Sequence, residues 1–88
     1  YNDVLNIAWQ FDHTGIICNM KIFDSNGRFI KNIMQNAPIG PEGVISWDGK
    51  DENGETAPIG IYVIFADIFA SDGYTDKIKT VFVLAGKF

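Results

Sequence analysis

The sequence has one cysteine, one histidine and three prolines in 88 residues. Cys18 alone can form neither an internal disulfide nor a cysteine-based metal cluster. Between Ile17 and Asn19, in an apolar alternation, it reads as a small core hydrophobe. His13 lies in the turn-forming stretch Asp12-His13-Thr14-Gly15 with no nucleophile motif around it. A catalytic dyad or triad needs a base beside a nucleophile, so His13 reads as a solvated turn residue. No apolar stretch reaches the roughly 18–20 residues that span a bilayer, and the longest runs only from Ile59 to Ala66. Basic runs are also missing. The cations Lys21, Arg28, Lys31, Lys50, Lys77, Lys79 and Lys87 are scattered, and the net charge is −4 with a pI near 4.6. Nucleic acid would require a basic patch, and an anionic membrane a polybasic one, so neither is expected as a partner. Helical spacing is absent over any useful length.

What is present is strand pattern. The chain is 47% hydrophobic and 14% aromatic, which suits one small globular domain. From Val4 to Phe11, Leu5, Ile7, Trp9 and Phe11 alternate with polar Asn6 and Gln10, the mark of a half-buried strand. From Ile16 to Phe23, Ile16, Cys18, Met20 and Ile22 oppose Ile17, Asn19, Lys21 and Phe23. Asp24-Ser25-Asn26-Gly27 closes a hairpin, because Asn-Gly accepts the positive φ angles of tight turns. A third strand is predicted from Arg28 to about Met34. Pro38, Gly40, Pro41 and Gly43 then mark residues 35–43 as a connection between sheets. Shorter Val44–Trp47, long 59–69 and Thr75–Leu84 complete six clear strands, with a seventh if the 35–43 connection holds one. The pattern predicts an all-β, immunoglobulin-like sandwich of about seven antiparallel strands, with an oligonucleotide-binding barrel as the alternative. The whole of 1–88 forms one domain. The opening Tyr1-Asn2-Asp3 carries no signal peptide and reads as the start of a fragment of a longer protein.

The 59–69 strand is apolar on both faces, Tyr62, Ile64, Ala66 and Ile68 on one and Ile61, Val63, Phe65 and Phe69 beside Asp67 on the other. A two-layer sandwich buries only one. The excess implies a neighbouring domain, a partner, or a bulge that turns the strand.

Chemistry-bearing candidates are few. The acidic stretch from Asp48 to Glu55 offers Asp48, Asp51 and Asn53 as irregular calcium ligands. An EF-hand loop with Gly54 as its invariant glycine would place Gly49 and Gly60 at ligand positions, so that motif fails at both ends. The same side chains suit Asx turns. Asp48, Asp51 and Glu55 could also reach glycosidase spacing, but a small sandwich lacks an enclosing cleft. Trp47 reads either as a plug at the sandwich edge or as a sugar-stacking platform, and Trp9 as core. No catalytic residues and no cofactor are expected.

The run Ile45-Ser46-Trp47-Asp48-Gly49-Lys50-Asp51-Glu52-Asn53-Gly54, followed by Pro58-Ile59-Gly60-Ile61-Tyr62, resembles the immunoglobulin-like domain of flagellar hook-capping proteins. Lys21-Ile22-Phe23-Asp24-Ser25-Asn26-Gly27-Arg28 fits that family's hairpin. Asn2–Ile7, residues 22–28, 46–54 and 59–63, and Lys79–Lys87 also resemble, in order, the C-terminal domains of secreted lamin-tail-domain-containing proteins of the Bacteroidetes. The resemblance implies a non-catalytic domain at the C-terminus of a secreted or cell-surface protein. It implies a structural role and a sorting or anchoring role in type IX secretion. The 14% aromatic content and Trp47 carry the alternative, a carbohydrate- or surface-binding module. Implied partners are a neighbouring domain of the parent chain, secretion machinery or a cell-surface glycan. Trp47, Asp48, Gly49, Gly54, Pro58, Gly60 and Tyr62 form the structural signature, a corner of the sandwich.

Overall fold

The computed structural model describes residues 5–84. Val4, expected in the first strand, and the Ala85-Gly86-Lys87 match lie outside the described residues. Those described form six strands and no helix: β1 (Leu5–Gln10), β2 (Ile16–Asp24), β3 (Phe29–Ile39), β4 (Glu42–Trp47), β5 (Gly60–Phe69) and β6 (Thr75–Leu84). They make two antiparallel sheets, a small one of order β1-β4 and a larger one of order β3-β2-β5-β6. The expected all-β sandwich is the observed fold.

The alternating patterns explain the layers. On β2, Ile16, Cys18, Met20 and Ile22 are buried, and on β5 so are Tyr62, Ile64, Ala66 and Ile68. The β2–β5 ladder aligns Cys18 with Ile68, Met20 with Ala66 and Ile22 with Ile64, so the two runs share one face. Ile30 and Met34 from β3 extend that face. Across the interior, the small sheet aligns Leu5 with Trp47 and Ile7 with Ile45. On its outer face, which also carries Ala8 and the exposed Val44, the Ser46 Oγ donates to Asn6 Oδ1 at 2.7 Å. Burial, and then the Asp67 carboxylate, push the Cys18 thiol above its ordinary value, which keeps it protonated and unreactive.

Two boundaries differ from expectation. β3 does not stop at Met34 but runs on to Ile39, through Pro38. As an edge strand it needs no ladder hydrogen bond from the missing proline N–H. It is also bulged: the register jumps from Cys18↔Ala37 to Met20↔Met34, which leaves an extra residue on β3. Asn36 takes φ 48° there, and its N–H donates to Asn19 Oδ1 at 2.8 Å. β4 starts earlier than expected, at Glu42, and includes Gly43. Gly43 sits opposite Trp9, whose ring would lie 2.5 Å from any Cβ at that position. The indole of Trp9 covers the bare backbone and donates from Nε1 to the Gly40 carbonyl at 3.1 Å.

Trp47 is the largest fully buried side chain, at 1% exposure. Its ring meets Tyr62 and Phe82 edge-on, at 5.6 and 5.8 Å between centroids. Trp47→Ala is expected to cost about 3–5 kcal/mol by cavity formation. Trp9→Ala, at a half-exposed position, should cost less. Urea denaturation of both variants checks the order, and a larger loss for Trp9→Ala would contradict the packing described.

Candidate interaction surfaces

The signature residues come together between β4 and β5. The Trp47 Nε1 donates to the Lys50 carbonyl at 2.8 Å, and Asp48 Oδ1 accepts from the Lys50 N–H. Gly49 turns the chain at φ 79°, and its carbonyl accepts from Ala57 N–H at 2.7 Å. Lys50 bridges to Thr56, and Asp51 Oδ1 accepts from the N–H groups of Asn53 and Glu55 at 2.9 and 3.0 Å. Tyr62 reaches back to donate its hydroxyl to the Pro58 carbonyl, the arrangement of the tyrosine corner in β-sandwiches. Gly54 sits at the tip of this loop and Gly60 opens β5. Glu52 ties the loop to β3, donating its N–H to Ile30 O and accepting from the Asn32 N–H at 2.6 Å. This last contact is not foreseeable from local pattern.

The carboxylates of Asp48 and Asp51 accept backbone N–H bonds in Asx turns, and Asn53 contributes its backbone to one of them. Among the described residues no three His, Cys, Asp or Glu side chains converge as metal ligands. The sugar-platform reading of Trp47 is corrected: both ring faces are covered by the core, so none is available for stacking.

His13 is more engaged than a solvated turn residue. Its ring stacks on Tyr74 at 3.9 Å and 9°, and Nδ1 lies 2.7 Å from Asp72 Oδ2. The contact joins the β1–β2 turn to the β5–β6 turn, 59 residues apart. Ser71, the adjacent hydroxyl, donates to the Thr14 carbonyl instead of to His13. The group therefore lacks the nucleophile–base contact of a hydrolytic site. It acts as a clasp between two turns.

Two surfaces remain open. On the outer face of the larger sheet, Ile61, Phe65 and Phe69 of β5 and Val81 and Val83 of β6 are exposed. Phe23 packs edge-on against Phe29 and Phe65, and Lys79 lies 5.7 Å from the Phe65 centroid. The pairing of β5 with both neighbours runs in unbroken register, so no bulge turns these side chains inward. Of the three explanations for an apolar second face, the bulge is removed. The second surface is a cavity of about 280 Å³ between the sheets. Leu5, Ile7 and Trp9 of β1 line it on one side, and Ile78, Thr80 and Phe82 of β6 on the other.

The Asp72 carboxyl is held below the usual carboxylate range, first by the Tyr74 N–H and then by the His13 contact. Its contribution is present above the unfolded value of about 3.9 and is lost as pH falls through the lower folded value. Asp72→Asn should therefore flatten the dependence of Tm on pH below about 4. Thermal melts between pH 2 and 6 check this, and an unaltered acid limb would show that the clasp carries no linkage.

No family model matches the chain, and no curated protein matches it. Solved structures do. FlgD from P. aeruginosa has 22% identity, and the match covers 92% of this chain and 62% of that one with a TM-score of 0.70. FlgD from Xanthomonas campestris, described as providing hook capping essential for flagellar assembly, has 30% identity, 91% and 56% coverage and a TM-score of 0.66. The capping described there is a role in an assembly rather than a catalysed reaction. This chain spans about three-fifths of the length of the structures it matches, and it shares the fold of hook-capping FlgD proteins.

Proposed function

We propose that the chain is a non-catalytic, immunoglobulin-like structural domain of a secreted or cell-surface protein. The reading rests chiefly on the fate of the signature residues: Trp47, Asp48, Gly49 and Tyr62 are consumed in building a corner and leave no convergent reactive group. The likeness to hook-capping proteins supports a place in a larger exported assembly. The apolar outer face of β5 and β6 supports a neighbouring domain of the parent chain as its cover. The likeness to C-terminal domains of Bacteroidetes lamin-tail-domain-containing proteins supports a C-terminal position and a type IX sorting or anchoring role. The alternative, a carbohydrate- or surface-binding module, loses Trp47 as a platform and keeps no specific observation in its favour.

Two measurements test the halves of this reading. A reporter fused to the chain in a type IX-competent host should reach the cell surface, and a reporter retained in the periplasm removes the sorting role. Val81→Lys should leave the unfolding free energy of the isolated chain within about 0.5 kcal/mol of the unsubstituted value, as surface substitutions do. In the parent protein the same change should lower the unfolding temperature. Equal behaviour in both contexts removes the covered face.

A further inference from the structure

The small sheet is unfinished. Among the described residues β1 pairs only with β4, and its other edge faces the inter-sheet cavity. The edge strands differ in how they are guarded. β6 carries Asp76, Lys77 and Lys79, and β4 carries Glu42. β3 holds Lys31 and Pro38, breaks register three times and is capped by Glu52. β1, Leu-Asn-Ile-Ala-Trp-Gln, has no charge and no proline, and pairs with β4 without a bulge. Charges, prolines and bulges are the usual devices that stop an edge from pairing, and β1 has none of them.

The cavity has a matching shape and charge. Ile78, Thr80 and Phe82 of β6 line it together with Leu5, Ile7 and Trp9 of β1, and the lining includes none of the chain's Lys, Arg, Asp or Glu residues. Leu5, Ile7, Trp9 and Phe82 are only partly buried, although they pack on the core. A strand laid beside β1 would complete their burial.

We propose that the free edge of β1 accepts one extended segment from a partner polypeptide as the third strand of the small sheet. The segment presents uncharged aliphatic side chains at alternate positions into the cavity, and polar ones outward beside Asn6 and Gln10. Its backbone supplies the hydrogen bonds that the β1 edge lacks, the mode of β-augmentation. This inference concerns a surface separate from the outer face of the larger sheet, so it stands or falls independently of the export reading.

The test uses a blocked eight-residue peptide alternating valine with threonine, and a control with lysine at each valine. Titration into the labelled chain should shift and protect amides of β1 and the inner positions of β6, with the control at least tenfold weaker. Thr80→Phe fills the cavity from an exposed position and should weaken binding at least tenfold while the chain stays folded by circular dichroism. Val81→Lys, on the opposite face, should leave binding unchanged. Equal binding of the control peptide, shifts confined to the outer face, or concentration-dependent dimerisation through β1 without peptide binding would each overturn the proposal. So would full binding by Thr80→Phe.

Discussion

The antiparallel ladder between β2 and β5 is the constraint on which the remaining structure depends. Both strands are interior to the larger sheet, and their register places eight inward side chains on one surface. A slip of one residue would exchange Ile22 and Ile64 for Phe23, Lys21 and Phe65 at the core. With the ladder in place, β3 and β6 add at the sides and the small sheet has a surface to cover. Trp47 then drops onto Tyr62 and Phe82, and the loop that follows is positioned by that landing. The corner is thus a consequence of core packing as much as of its own turn residues.

Much of this was legible from two-residue periodicity. Ile16, Cys18, Met20 and Ile22 were separable from their neighbours because each alternate position differs in polarity or in the partner it meets. The apolar excess of β5 was visible for the same reason. β3 was harder, since proline and glycine near residue 38 mark a turn equally well as a tolerant sheet edge. Only the tertiary position, with β3 at the edge of the larger sheet, decides between them. The clasp of His13, Asp72 and Tyr74 was not legible at all, because it depends on two distant turns arriving side by side. The same holds for the Glu52 contact with β3.

The candidate surfaces follow a division of labour between faces. Polar and charged groups in the loops satisfy one another or the backbone, as with Asp51 and Asp72. Many of the apolar groups left over lie on the outer face of β5 and β6 and along the β1 edge. A domain arranged in this way is suited to being built into something larger, by packing and strand pairing in place of bond-making chemistry.

The pairing of β1 with β4 has a consequence for assembly of the chain itself. The Asn6–Ser46 contact spans 40 residues, whereas the β2–β3 hairpin closes over a four-residue turn. Bringing distant ends together costs chain entropy that local pairing avoids, and the cost is recovered only when the surface beneath is ready. The β2–β3 hairpin therefore closes at less entropy cost than either the β1–β4 pairing or the β2–β5 ladder, whose partners lie 38 to 52 residues apart. During synthesis β1 cannot complete its ladder until Trp47, the partner of Leu5, has been made.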